Sequence, residues 1–492
     1  MTVQLIGGEM LQWSDLSGTH GPLPAGGPAL LPLPAGTGGR TLVAGPHDPA
    51  LIDAVPADQV TVLVRGVADA EALAARYSAR PGVAVCCGSL EKLAAAPAYD
   101  TVIALDGLGR LCTPEAPDLS WDEMLGQLLA VLRPGGRLLL GVENPFGLHR
   151  LLALPPAPAD TDWVAPDGPS GPADLHSRLA AAGVPVVREY AAYPTPGTPA
   201  ALLGAEVLAD PGLRGYLAAT LAGARPAPQL LADPDRLVTG ALRHGLAASL
   251  APAWILLAGD IAAGPAALTA NGELRLDGGA WVRGDGTPIP IGRTLEDLVL
   301  DACGRRAMPV VRELLTAWQD GPAAGVPAGQ VVVDAAGACH GLTAPASPAS
   351  PAPPVEALRR LAATLIGGGY AHLWPSPADE AELTALLAGM AGRELDPHSV
   401  PAGDPAGARP GAGSVRELMV ARDRLEQELA DARAKHEFYE RTIASRDAEL
   451  KRVRQMNALL SATVPGKAAT TLVGGLKAGR RAMRSVVKRP RD

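Results

Sequence analysis

The sequence predicts a doubly wound α/β sheet, followed by a smaller α+β or helical domain and a C-terminal coiled-coil helix. Three observations carry this. Between residues 40 and 212, short apolar runs alternate with stretches of helical period, as parallel strands joined by crossover helices require. From 213 to 397 that alternation is lost, and from residue 414 apolar residues recur every seven positions.

Residues 1–39 read as a loop-rich segment ending in PLPAGTGGR. Its Gly36, Gly38 and Gly39 precede the first strand, whereas a phosphate-binding turn must follow a strand and open a helix, so they read as linker. Strands are expected at 41–44, 60–64, 83–86, 101–105 and 137–142, with helices at 49–55, 69–77 and 121–132. In the last helix Met124, Leu125, Leu128, Leu129 and Leu132 recur at i, i+3, i+4. A Pro-rich break at 154–172 leads to a helix at 173–182 and a strand at 184–190. In the second domain, 213–397, a strand at 253–258 and a strand-turn-strand at 274–282 stand out, and 343–354 reads as an exposed loop. The Asp277-Gly278-Gly279 run reads as a structural turn. Residues 398–413 read as a linker.

From Ser414 two series spaced by seven interleave: Leu418, Leu425, Ala432, Tyr439, Arg446, Val453, Leu460 and Arg422, Leu429, His436, Ile443, Leu450, Asn457. This is a heptad seam, which predicts a coiled coil over 414–460 and a homodimer through 415–460; a single solvated helix is the alternative. The basic tail, 461–492, places Leu472, Leu476, Met483, Val486 and Val487 on one helical face and Lys477, Arg481, Arg484 and Lys488 on another. Such a helix, 468–491, suits an anionic membrane surface; a solvated basic tail fits equally.

The 492 residues exceed one ordinary core. Cys86, Cys87, Cys112, Cys303 and Cys339 form no CxxC pair, and no His lies at ligand spacing, so no metal site is expected and a reducing compartment is. MTVQLIGGEM has no basic head with a long apolar run, and the most apolar stretch, 245–259, is short and holds Pro252. The expectation is a cytoplasmic protein, peripheral at the inner face of the membrane if the tail binds it. The abundance of Ala, Gly and Pro, with Arg over Lys, reads as a GC-rich bacterial genome. The net charge of −8 hides an asymmetry: residues 414–492 carry 18 Lys and Arg against 10 Asp and Glu, leaving −16 on the rest. An acidic body with few aromatics excludes nucleic acid as the expected partner.

Two stretches, AYDTVIALDGLGRL at 98–111 and WDEMLGQLLAVLRPGGRLLLGVEN at 121–144, have a strand with an acidic end, a helix, an L-x-P-G-G turn and the next strand. With LHSRLAAAGVPVVREYAAY at 175–193, the stretch of roughly 40–210 resembles the class I S-adenosylmethionine-dependent methyltransferases. The resemblance implies a Rossmann-like fold, S-adenosylmethionine as cofactor and a methyl acceptor. It also implies a cofactor site made of Gly45, His47, Asp48, Arg65, Gly88, Ser89, Leu90 and Asp106. The loop Gly45-Pro46-His47-Asp48-Pro49 keeps one glycine where the resemblance calls for several small residues. Arg65 ends the second strand, where a carboxylate would take the ribose hydroxyls, and a guanidinium accepts no hydrogen bond. His47 is placed to meet a carboxylate; Asp48 makes a polar contact or caps a helix with Pro49 at its first position.

Methyl transfer to a hydroxyl needs a base beside positioning. The candidates are Asp106 and Glu143, with His149 near them; Glu143-Asn144 also reads as a turn former. Two functions stay open. One is methyl transfer to a small polar acceptor such as a sugar or glycan precursor; the other is an inactive scaffold that dimerises by its coiled coil and recruits partners or membrane through its tail.

Overall fold

The computed structural model describes residues 3–94, 96–115, 117–152, 168–221, 234–342, 354–367, 374, 379–400, 415–462, 473–478 and 480. They divide into two units, Met1–Val415 and Arg416–Asp492. Most of the expected Pro-rich break, of the 343–354 loop, of the linker and of the basic tail lies outside the described residues.

In the first unit the strands are β1 (Gln4–Gly7), β2 (Arg40–Ala44), β3 (Gln59–Val64), β4 (Val83–Gly88), β5 (Tyr99–Ala104) and β6 (Leu132–Glu143). Then come β7 (Val186–Tyr193), β8 (Ala201–Leu203), β9 (Ala253–Gly259), β10 (Ala267–Thr269), β11 (Gly272–Asp277) and β12 (Ala280–Arg283). All twelve form one sheet in the order β1-β4-β3-β2-β5-β6-β9-β7-β8-β10-β11-β12. β1 to β6 are parallel, and β9 runs antiparallel to both β6 and β7.

The connecting helices are α1 (Pro49–Asp53), α2 (Val67–Arg76), α3 (Trp121–Ala130), α4 (Leu148–Leu152), α5 (Pro172–Ala181), α6 (Ala205–Ala209), α7 (Arg214–Leu221) and α8 (Pro234–Arg243). Strand alternation feeds two cores. On β2, Leu42 and Ala44 join one apolar cluster while Val43 joins the other. Ser120 caps α3 in a capping box with Glu123, which fixes where the chain turns from loop to helix.

A third core is built by β13 (Arg293–Thr294), α9 (Leu295–Gly304), α10 (Met308–Asp320), β14 (Val331–Val333), β15 (Cys339–Gly341), α11 (Pro354–Gly367) and α12 (Glu380–Met390). Leu295, Val311, Leu315, Trp318, Leu358 and Leu383 are fully buried within it.

Three expectations are corrected. The boundary at 212/213 does not hold, because β9 lies inside the main sheet and β10 to β12 extend its edge; only the region from β13 onward has a core of its own. The sequence signal at 253–258 was that of any buried strand, and nothing in it names the partner strands. The loop-rich segment 1–39 also carries a strand that was not expected: β1 pairs with β4, and the segment after it crosses the strand ends. The Pro134-Gly135-Gly136 stretch lies inside β6, where Leu132 pairs with Tyr99 and Arg137 with Thr101, so it bulges out of the ladder instead of preceding a strand. The expected strand-turn-strand is the β11–β12 hairpin, whose Gly278 and Gly279 both adopt positive φ, as a two-residue turn between twisted strands demands.

The second unit holds α13 (Val415–Ala462). Along it Leu429, Tyr439, Ile443, Leu450, Val453 and Leu460, all on the expected seam, are exposed. No helix among the described residues is long and apolar enough to cross a membrane.

Candidate functional site

The sheet winds in one direction from β2 to β3 and β4 and in the other to β5 and β6. In a doubly wound sheet, ligands bind outside the carboxyl ends of the strands where the winding reverses. Here that point lies between β2 and β5.

At the end of β2, His47 is 1% exposed. Its Nδ1 lies 3.0 Å from the Gly45 carbonyl oxygen, and its Nε2 accepts from the Leu105 amide at 3.0 Å. The ring is therefore neutral with its proton on Nδ1, and burial lowers its pKa to about 4. His47 bolts the β2 loop to the end of β5, with both ring nitrogens engaged by backbone groups. Asp48 accepts from the Ala50 amide at 2.8 Å and caps α1, with Pro49 at the first helical position.

Arg65, Gly88 and Ser89 meet the chain's own amino-terminal segment. Arg65 donates from Nε and Nη2 to Asp15 at 2.7 and 3.0 Å and from Nη1 to the Cys112 carbonyl at 2.9 Å. Asp15, 3% exposed, also accepts from the Trp13 indole at 2.9 Å. Burial pushes its carboxyl up, but the hydrogen bonds from Arg65 and Trp13 hold it below the ordinary range. The Met10 amide donates to the Arg65 carbonyl at 2.9 Å, and the Ser89 amide to the Gly7 carbonyl at 3.0 Å. Ser89 Oγ donates to Glu91 and accepts from the Thr113 amide; Leu90 is buried. Ala25 pairs with the loop itself, its amide donating to Pro46 and its carbonyl accepting from Asp48.

Asp106 lies in the turn just past the end of β5 and is clamped by both Nε and Nη2 of Arg110. Burial raises its pKa to about 6 despite that partner. Arg110 in turn donates to the carbonyls of Pro22 at 2.7 Å and Leu23 at 3.1 Å.

Beyond Arg110 a cleft of about 1150 Å³ remains open at the ends of β5 and β6. Asp106, Arg110, Trp121, Glu143, Phe146 and His149 line it, with Ser170, Thr195 and Thr198 at its polar side. Glu143 Oε1 lies 2.9 Å from His149 Nε2 and accepts from Arg150 Nε at 2.9 Å. Burial would raise Glu143, yet these partners hold its carboxyl below the ordinary range. His149 Nδ1 is buried and has no hydrogen-bond partner among the described residues. Asn144 is a turn former: it donates to the Ser249 and Ala251 carbonyls and accepts from the Phe146 amide.

The structure thus brings Asp106, Glu143 and His149 to one cleft and leaves Gly45, His47, Arg65, Gly88, Ser89 and Leu90 out of it. Sequence reasoning missed Asp15, Trp13 and Arg110. A strand-end arginine in an apolar setting demands an acid, and Asp106 and Arg110 stand at helical spacing, but the partner fifty residues upstream carried no local signal. No group of three or more His, Cys, Asp or Glu among the described residues is placed to hold a metal.

Fold and crevice define a doubly wound α/β protein with an open cleft on one side of its reversal point. No protein-family model matches the chain, and no curated protein does. Among solved structures it is similar to S-adenosylmethionine-dependent methyltransferases. One is the Burkholderia thailandensis 1,6-didemethyltoxoflavin-N1-methyltransferase with bound 1,6-didemethyltoxoflavin and S-adenosylhomocysteine: 19% identity, 33% of this chain, 70% of that chain, TM-score 0.22. Another is a Geobacter sulfurreducens enzyme in complex with S-adenosylhomocysteine: 13% identity, 46% and 89% coverage, TM-score 0.23. A third is coclaurine N-methyltransferase bound to N-methylheliamine and S-adenosylhomocysteine: 17% identity, 45% and 65% coverage, TM-score 0.24.

Proposed function

We propose that this chain is a methyltransferase-like binding protein whose cofactor crevice is closed by its own residues 8–27, and which holds a small polar ligand in the cleft beside it. The observation that supports this most is the Arg65–Asp15 pair. S-adenosylmethionine needs an acceptor for its ribose hydroxyls and backbone open to its tail. The residue at that strand end is a donor already satisfied by Asp15, and the β2 loop is already paired with Ala25. The residues present do not fit the cofactor.

The cleft is lined by the aromatic residues Trp121 and Phe146 and by polar groups from Glu143, Arg150, Ser170, Thr195 and Thr198. Apolar faces rimmed by a few convergent polar groups suit a sugar-sized polyol or glycan precursor. Dimerisation through 415–460 and contact of 468–491 with an anionic membrane belong to this proposal and rest on the seam and the basic face of the sequence.

A second reading, methyl transfer to such an acceptor with Asp106 or Glu143 near the reacting hydroxyl, is favoured by one observation: the 1150 Å³ cleft lies directly beside the reversal point. It requires residues 8–27 to leave the crevice. Titration calorimetry of the full chain with S-adenosylmethionine and S-adenosylhomocysteine separates the two. The binding-protein reading expects no heat up to millimolar ligand, and micromolar binding of either would replace it with the enzyme.

A further inference from the structure

We propose an oxyanion site, distinct from the β5–β6 cleft, in the cavity of about 370 Å³ between α7, α8 and the start of α9. Its ligand is a phosphate group, free or carried on a small molecule. Three guanidiniums line this cavity: Arg214, Arg243 and Arg293. Asp297 is the carboxylate among its lining residues, and it is shared: Arg243 Nη2 donates to its two oxygens at 2.7 and 2.9 Å, and Arg293 Nε donates at 2.8 Å. Arg293 reaches Asp301 as well, at 3.3 Å, but Asp301 is also held by Arg305.

Arg214 stands apart from this exchange. It forms no hydrogen bond or ion pair among the described residues, and its Nε is buried without a partner. A buried N–H left without an acceptor is costly, since that donor is withdrawn from water. The body of the protein is acidic, so an excess of positive charge around one cavity is not the background pattern. Arg214 brings a guanidinium with no acceptor of its own, and Arg243 and Arg293, held on Asp297, add positive charge beside it, a setting that suits a tetrahedral oxyanion.

A second observation points the same way. Arg214 and Gly215 at the start of α7 and Thr294, the cap of α9, border the cavity, and helix amino ends carry partial positive charge. The Gly215 amide donates to the Gly292 carbonyl and the Gly292 amide to the Gly212 carbonyl, so the wall that carries Arg214 is tied to the segment that carries Arg293.

The test is thermal melting and titration calorimetry of the full chain with inorganic phosphate, pyrophosphate and ribose 5-phosphate, against chloride at matched ionic strength. Saturable binding with a rise in melting temperature is expected for at least one phosphate compound. Tighter binding of the ester than of inorganic phosphate would identify an ester-borne group, and the reverse a free anion. Arg214→Gln should weaken binding at least tenfold without lowering the melting temperature of the free protein. Arg243→Gln, at the exposed rim, gives the same reading if Arg214→Gln fails to fold. The proposal is overturned if no phosphate compound binds the wild type more tightly than chloride, or if the variants bind as the wild type does.

Discussion

Arg65 and Asp15 meet in a two-pronged ion pair that buries both side chains, at 12% and 3% exposure, where the sheet would otherwise present its crevice. Removing one partner of a buried pair leaves the other uncompensated, at a cost of about 3–5 kcal/mol. Asp15→Asn should therefore destabilise the first unit by several kcal/mol in urea unfolding. Replacing both residues, Asp15→Leu with Arg65→Met, should cost much less. Equal losses in single and double variants would show that the pair does not hold the segment down.

The pH dependence of stability should split in two. Asp106 titrates at about 6 in the fold against an ordinary 3.8, so the folded chain binds more protons between those values and its contribution falls as pH rises through that window. His47 is depressed from 6.5 to about 4, so the unfolded chain binds more protons and stability rises with pH across about 4 to 6.5. The two slopes oppose each other. Asp106→Asn should make stability rise more steeply with pH, by up to about 1.4 kcal/mol per unit, and His47→Asn should flatten or reverse the rise. Urea unfolding at pH 4.5, 5.5 and 6.5 measures this, and identical slopes in all three proteins would contradict it.

Gly88 ends β4 with φ of +146°, and a Cβ there would stand 2.5 Å from the Gly7 carbonyl oxygen. Gly88→Ala should push β1 away from β4 and cost about 1–3 kcal/mol. Hydrogen exchange is the readout: the Ser89 amide, bonded to Gly7, should lose protection before the β2 and β3 amides do.

The exposed seam of α13 should close on a second copy. Leu450→Lys, or Ile443→Lys, puts a charge into that seam and should weaken dimerisation at least a hundredfold by sedimentation equilibrium. A wild-type chain that stays monomeric at tens of micromolar would make α13 a solvated helix.

The parallel half of the sheet was legible in the sequence because Leu42, Val43 and Ala44, or Leu138 to Leu140, make continuous apolar runs between turn signals. Asp106 and Glu143 could be placed at strand ends for the same reason. The neighbours of β9 were not legible. A buried strand such as Ala253–Gly259 has no feature that selects β6 and β7, residues 132–143 and 186–193, over any other edge. The role of Arg65 was misread because a strand-end residue was judged by the ligand it would meet, while the residue it does meet, Asp15, lies in a stretch without period or pattern. Trp13 and Arg110 were lost with it, since each is defined by what the same segment does.

The position of β9 also sets a timetable for the chain as it leaves the ribosome. β6 and β7 are synthesised well before residue 253, and until β9 arrives each presents an open edge of unpaired amides and carbonyls. The nascent sheet therefore stays unclosed over at least sixty residues of further translation beyond β7, counted from Tyr193 to Ala253. During that interval it is a substrate for chaperones and for pairing with its own kind.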